Sequence, residues 1–237
     1  MFDKSNISDI FWDLDHTIWD YPTNAKITIF ELFEKYNLNN LTIHSPEVFH
    51  KTYCKYNDSA WDEYRKGKID KLTLRKLRFS NTFKELKIEK EEFHDIFEIE
   101  FVKICPTKGN LMKGALNALQ FFEPLFKQHI ITNGFKETQE LKLKSSGISH
   151  FFDSITNSED VGVQKPSPII FEKAVSGALA DKNKCIMIGD NYEADIVGAY
   201  NYGLKCVFYN HSGIEIKNIP SEIIVVDDLD VLRNMFY

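Results

Sequence analysis

The chain has 237 residues, 43% of them hydrophobic and 14% aromatic, with 19 Phe. That composition argues against disorder and leaves room for one large domain or a core with a smaller inserted one. A net charge of -6 gives no electrostatic reason to expect a nucleic acid polymer as partner, although local cations can still hold small anions.

In chain order, residues 10–14 are a short apolar run that predicts a strand buried in a parallel sheet. It ends in IFWDLDHTIWD, with Asp13 and Asp15 two residues apart and a hydroxyl at Thr17. Helical periodicity follows. Ile29, Phe30, Phe33 and Tyr36 share one face and the Asn-rich stretch 37–40 ends that helix. Ser45-Pro46 opens a second helix running towards Gly67, Asp70 caps a third through Leu72, Leu77 and Phe83, and Phe93, Ile96, Phe97, Phe101 and Ile104 line a fourth. From Leu111 helices alternate with short apolar strands, the pattern of a parallel sheet with crossover helices. Strands are expected at 129–132, 152–156, 185–188 and 205–209, with 223–226 as a sixth at the edge. Helices are expected at 112–122, 135–146, after Ser167-Pro168, and at 194–202.

Cys54, Cys105, Cys185 and Cys206 are scattered, with no C-x-x-C pair, and are read as free, mostly buried thiols in a reducing compartment. The amino terminus lacks a charged segment followed by an apolar one, and no apolar run reaches the roughly 18 residues of a membrane span. A cytoplasmic protein without a membrane partner is the expectation.

Polar residues at the carboxyl ends of buried strands lie where open α/β folds place ligands. Asp13 and Asp15 repel each other unless a cation or a shared proton relieves them, and Mg²⁺, which prefers oxygen ligands and keeps several waters, suits a site built for phosphate. Thr132, Asn133 and Gly134 offer a hydroxyl, an amide and a backbone N–H at a helix entrance. Lys165 precedes Pro166, which restricts its backbone and makes it a candidate fixed cation. Asp190 and Asp195 follow the apolar run CIMIG; Asp190 could equally cap the next helix and Asp195 sit in its first turns. Taken singly, each cluster also fits an ordinary turn or cap. Their joint order is the stronger signal.

That order, D-x-D-x-T at Asp13, Asp15 and Thr17, a strand ending in Thr132, Lys165-Pro166, then G-D-x4-D at Asp190 and Asp195, resembles the haloacid dehalogenase superfamily. The resemblance implies a Rossmann-like α/β fold: a parallel sheet of five to six strands, order 5-4-1-2-3, flanked by helices. It also implies an inserted helical cap of the kind found in subfamily I. Residues 1–18 and 105–237 would form the core and 19–104 the cap, which would close over the substrate and exclude water. By the same resemblance Asp13 is the nucleophile that takes the phosphoryl group and Asp15 the general acid and base. Mg²⁺ would be held by Asp13, the backbone carbonyl of Asp15 and Asp190, with Thr17 and Asp195 in support. Thr132, Asn133 and Lys165 would cradle the phosphoryl group.

A narrower likeness, in DLDHTIWDYPTNA, is to bacterial pyrimidine 5'-nucleotidases, which implies a small phosphorylated metabolite, a nucleotide, as substrate. Asn24 and the stretch 61–79 are candidate substrate contacts; Trp61 and Tyr64 could instead be packing, and Arg75 and Arg78 a solvated face. Alternatives are a phosphatase for phosphoglycolate or a sugar phosphate, a mutase, or an idle binding protein. Asp15 counts against a dehalogenase, which has no leaving alkoxide to protonate.

Overall fold

The computed structural model describes residues 2–236. The chain forms two compact units, one comprising the residues up to Tyr21 together with those from Gly109 onward, the other Pro22–Lys108.

The first unit is built on a parallel sheet of β1 (Asp9–Trp12), β2 (Lys127–Thr132), β3 (Ser154–Asn157), β4 (Cys185–Gly189), β5 (Lys205–Tyr209) and β6 (Ile224–Val226), in the order β3-β2-β1-β4-β5-β6. This is the expected 5-4-1-2-3 order with the sixth strand at the edge beyond β5. Every residue of β1 is buried, because helices cover both faces of the sheet. Side chains alternate across it. Phe11, Ile131, Met187 and Phe208 join Ile170, Phe171 and Ile196 on one face. On the other, Trp12 packs against Phe122 at 6.1 Å and donates its indole N–H to Gln128 Oε1 at 3.1 Å. Register places Trp12 opposite both Ile130 and Ile188, so β1, β2 and β4 end side by side.

The helices α1 (Tyr21–Lys35), α2 (Pro46–Arg65), α3 (Lys71–Glu85) and α4 (Glu92–Ile104) lie where periodicity put them. Ser45 Oγ accepts the Val48 N–H at 3.4 Å and Asp70 Oδ1 the Thr73 N–H at 2.7 Å, as the cap readings required. Phenylalanine concentrates between these helices: Phe49 meets Phe83 at 5.2 Å, Phe83 meets Phe97 at 5.0 Å and Tyr53 meets Phe79 at 4.8 Å. Such pairs contribute about 0.5–1.5 kcal/mol each beyond the area they bury. Arg78 corrects the expected solvated face. It is buried, its Nε and Nη2 each donate to Glu98 at 2.9 Å, and Arg75 Nε donates to the same carboxylate at 2.8 Å.

Four local differences have physical causes. The unit boundaries fall three to four residues later than 18/19 and 104/105, because Trp19 is buried and bridged to Leu111, and the Asp20 N–H donates to Asn110 O at 3.0 Å. Helix α5 (Ala115–Phe122) starts after Gly114, whose φ of +79° no helical residue shares. After α6 (Lys136–Ser145) and β3 an unanticipated short helix, α7 (Ser158–Val161), is capped by Asn157 Oδ1 at 2.8 Å from the Glu159 N–H. Beyond α8 (Pro168–Gly177), the expected helix over 194–202 is π-helical at Tyr192–Val197 and α-helical only as α9 (Gly198–Tyr202). Cys105, Cys185 and Cys206 are buried free thiols and Cys54 a half-buried one; burial pushes the first-strand-facing Cys185 up to about 12. Among the described residues no helix is long and apolar enough to cross a membrane.

Candidate active site

Asp13 continues β1 by one residue, donating its N–H to Ile188 O at 2.9 Å, and its carboxylate emerges between β2 and β4. There it meets Lys165. The ammonium lies 2.5 Å from Asp13 Oδ1 and 2.7 Å from Asp195 Oδ1, and donates to Ile131 O at 2.7 Å. Lys165 is therefore a buried, three-coordinated cation and not a surface lysine.

Asn133 fixes it there. The Lys165 N–H donates to Asn133 Oδ1 at 2.9 Å and Asn133 Nδ2 donates to Lys165 O at 3.0 Å, so both ends of the amide are committed to the lysine's backbone. What Asn133 can offer a phosphate from this position is its backbone N–H. Thr132 is buried at the end of β2, where its Oγ1 accepts the Gly134 N–H at 3.0 Å and donates to Gln139 Oε1 at 3.3 Å.

Asp15 points elsewhere. Both its oxygens accept from Lys142 Nζ, at 2.7 and 2.8 Å, and the same ammonium stands 4.7 Å from the centre of the Trp19 ring. Gly134 makes room for this: a Cβ there would lie 3.0 Å from Asp15 Oδ2 and overlap the Gln139 amide. Asn157 holds the same turn, donating from Nδ2 to Gly134 O at 2.8 Å.

Thr17 Oγ1 donates to Asp190 Oδ1 at 3.1 Å. The cap reading of Asp190 does not hold, since Asn191 Oδ1 accepts the Ala194 N–H at 2.9 Å and does the capping. Asp195, a turn later, is buried; its Oδ2 accepts the Asn191 N–H at 3.0 Å and its other oxygen takes Lys165. Gly189 has no alternative here, because Asp195 occupies the space a Cβ would need.

Carboxylate oxygens of Asp13, Asp190 and Asp195 all lie within 4.8 Å of one another. Three acids thus face one ammonium. Burial, with Asp195 and Asp190 adding to it against the pull of Lys165, holds the Asp13 carboxyl well above its ordinary range. Burial and then Asp195 push Asp190 up to about 7, opposed by Thr17 and Lys165. Burial disfavours the Lys165 charge, yet Asp13 and Asp195 outweigh it and raise its pKa. The arrangement is short of positive charge, and an all-oxygen, partly hydrated divalent cation such as Mg²⁺ fits such a donor set. The Asp15 carboxylate stands outside this group, so only its backbone carbonyl could join it.

Asp13, Thr132, Asn133, Lys165, Asp190 and Asp195 are thus gathered at one sheet edge, with Thr17 against Asp190. Sequence reasoning missed Lys142, Gln139 and Asn157. A signal existed for the first two. Thr138, Gln139 and Lys142 are buried on α6, whose inward face would otherwise be apolar. Of the aromatic side chains in and near the stretches expected to meet substrate, Trp19 is fully buried and offers no surface, while Tyr21, Trp61 and Tyr64 keep partial exposure.

The family model for haloacid dehalogenase-like hydrolases matches residues 10–203. The pyrimidine 5'-nucleotidase YjjG of Escherichia coli K12 is 31% identical over 202 residues, 85% of each chain. The pyrimidine 5'-nucleotidase PynA of Streptococcus pneumoniae is 27% identical over 209 residues, 87% of this chain and 85% of that one. The magnesium-bound crystal structure of the HAD-hydrolase YfnB from Bacillus subtilis superposes with a TM-score of 0.84 at 26% identity, covering 97% and 98% of the two chains.

Proposed function

The chain belongs to the haloacid dehalogenase-like hydrolases and is an enzyme of phosphatase type, and we propose that it is a Mg²⁺-dependent phosphatase of nucleoside 5'-monophosphates, pyrimidine ones foremost. One observation carries the chemistry. The two carboxylates of the first motif are held by different lysines, Asp13 by Lys165 and Asp15 by Lys142, and are thereby free to do different work.

Asp15 first takes up a proton from solvent in exchange for one of its two Lys142 bonds; Asp13 then attacks phosphorus, and the bond from phosphorus to the nucleoside oxygen breaks as Asp15 gives that oxygen the proton. A water then attacks the phosphoryl group on Asp13 while Asp15 takes a proton from it; the bond to Asp13 breaks and phosphate leaves. Lys165, the backbone N–H of Asn133 and the Thr132 hydroxyl, once it turns its one proton from Gln139 Oε1, bind the oxygens of the transferring group, where charge accumulates. Asp13, Asp190 and the Asp15 carbonyl would hold Mg²⁺, which when bound would neutralise charge on the phosphate and on Asp13. Asp195 keeps Lys165 in place, Thr17 does the same for Asp190, and Asn133 holds the Lys165 backbone. Reading Asp15 as proton carrier favours a phosphoester over a haloacid.

The nucleotide assignment is supported by the names of YjjG and PynA, and the Mg²⁺ assignment by the metal bound in YfnB together with the three-acid cluster. Where a base stacks on an aromatic side chain the contact is worth about 1–3 kcal/mol, enough to rank nucleotides above small phosphates. The test has two stages. Release of phosphate from p-nitrophenyl phosphate with Mg²⁺, abolished by EDTA, checks the reaction. Comparing kcat/KM for UMP, dUMP, dTMP, AMP, fructose 1-phosphate and phosphoglycolate checks the substrate, with a pyrimidine nucleotide expected to lead. A tenfold lead for phosphoglycolate or the sugar phosphate would replace the nucleotidase by a phosphatase of small metabolites.

A further inference from the structure

A second set of metal-competent donors stands at the same sheet edge, and two of its three members, His16 and His211, take no part in the phosphoryl chemistry. His16 follows β1, Asp190 follows β4 and His211 follows β5, three strands that are neighbours in the sheet. One ligand atom from each lies within 4.8 Å of the others, and all three residues are half-buried.

Both histidines are held by their backbones. His16 has a φ of +67°, in the left-handed region that side-chain-bearing residues seldom enter, and its N–H donates to Trp19 O at 2.9 Å. Strain of this kind persists where the surroundings over-determine it, and it clusters at ligand sites. The loop carrying His211 is pinned by Asn210, which donates to Ile214 O and accepts the Ile214 N–H, both at 2.9 Å. Each imidazole also lies 5.0 Å, centre to centre, from a tyrosine ring, His16 from Tyr21 and His211 from Tyr209.

Two imidazoles and one carboxylate make a donor set unlike the all-oxygen cluster beside it. Imidazole nitrogen suits zinc, copper and nickel ions and is a poor match for Mg²⁺; three protein ligands of this type leave an open position for water. We propose that His16, His211 and Asp190 form a binding site for a divalent transition ion of the zinc class, and that it shares Asp190 with the Mg²⁺ cluster. An ion on the imidazoles then draws on the carboxylate the Mg²⁺ site needs, and zinc opposes Mg²⁺-dependent turnover. The site itself stands on the three donors; only the effect on turnover rests on the phosphatase reading, so the two can fail separately.

Zn²⁺ is titrated into the chelator-stripped full chain in the presence of saturating Mg²⁺, with wild type compared with His16→Asn and His211→Gln. Asparagine tolerates the left-handed backbone at position 16. One equivalent is expected to bind wild type, and each variant to bind at least about tenfold more weakly, the lower end of what losing even an outer-shell partner costs. Hydrolysis of p-nitrophenyl phosphate without zinc should be the same in all three proteins, and added zinc should slow wild type more than either variant. X-ray absorption at the zinc edge of the wild-type protein, which needs no variant to fold, should show imidazole ligation. Unchanged zinc affinity in both variants, or an oxygen-only shell in wild type, overturns the site. Zinc bound through imidazole with turnover unaffected overturns the sharing of Asp190.

Discussion

Replacing Lys165 by Met tests the charge arrangement most directly, because an unbranched apolar stem is kept out to Cε and the ammonium beyond it is lost. Three contacts go together: Asp13 at 2.5 Å, Asp195 at 2.7 Å and the Ile131 carbonyl at 2.7 Å. Removing one partner of a buried pair costs about 3–5 kcal/mol. Asp13 offsets part of that by taking up a proton, since burial and its acidic neighbours already favour the neutral form. The expected loss at neutral pH is therefore near the low end, about 3 kcal/mol, or a fall in Tm of about 6–12 °C for a chain of this size. Thermal and urea unfolding, followed by tryptophan fluorescence and circular dichroism, are run first in EDTA and then in Mg²⁺. The variant should gain more from Mg²⁺ than wild type does, because its acids have lost their one fixed cation and Mg²⁺ has only a proton on Asp13 to displace; for scale, a ligand at 100 times its Kd stabilises by about 2.7 kcal/mol. A deficit under about 1 kcal/mol, the range of an exposed pair, or one of equal size with and without the metal, refutes the reasoning.

Asp13→Asn and Asp15→Asn should each lower kcat by at least about 10²-fold, the smaller end of general acid–base catalysis, while circular dichroism and Tm show a folded protein; an Asp13→Asn enzyme at wild-type rate removes the acyl-phosphate route. Asp190→Ala should raise the Mg²⁺ concentration for half-maximal activity and be partly rescued by excess metal, and identical Mg²⁺ titration curves would take Asp190 off the metal. Lys142→Met removes two charge-assisted bonds to Asp15, worth about 1.5–3 kcal/mol each where buried, and should lower kcat at least tenfold with KM little changed; a change confined to KM would assign Lys142 to substrate binding. In EDTA, the Asp190 contribution to stability, read as wild type minus Asp190→Asn, should fall as pH rises from about 4 to about 7, because the raised pKa of Asp190 makes the folded state bind more protons than the unfolded one across that window. Saturating Mg²⁺ should flatten that difference, and a difference that rises with pH in EDTA would reverse the sign and refute the burial of uncompensated acid.

The sheet was legible because strands buried on both faces read as uninterrupted apolar runs that stop abruptly at polar residues, as IFW does before Asp13 and CIMIG before Asp190. Helices α2 and α3 were legible at their starts because Ser45 and Asp70 accept backbone N–H groups within their own first turns. Interactions at longer range were not. Trp19 belongs with the sheet unit because of its bridge to Leu111, far along the chain, and nothing near residue 19 says so. Nor does an apolar pattern distinguish π-helical from α-helical backbone over Tyr192–Val197, since both bury Ala194 and Ile196.

The site divides along the same line. Acids and hydroxyls at strand ends could be found by position, but which cation meets which acid is set by side chains that arrive from helices and loops. Lys165 was found because Pro166 singled it out; Lys142 sits among the lysines of KETQELKLKS, where charge alone suggests a solvated face. Its burial could have been inferred from α6 itself, which spends its inward positions on Thr138 and Gln139 instead of a full apolar stripe. The consequence is chemical. With a single lysine, Asp13 and Asp15 would compete for one ammonium, and the carboxylate that lost would repel the other or need a second cation. The second lysine draws Asp15 aside while Lys165 keeps Asp13 beside Asp195. Under the proposed mechanism, two acids two residues apart can then serve one as nucleophile and the other as proton carrier.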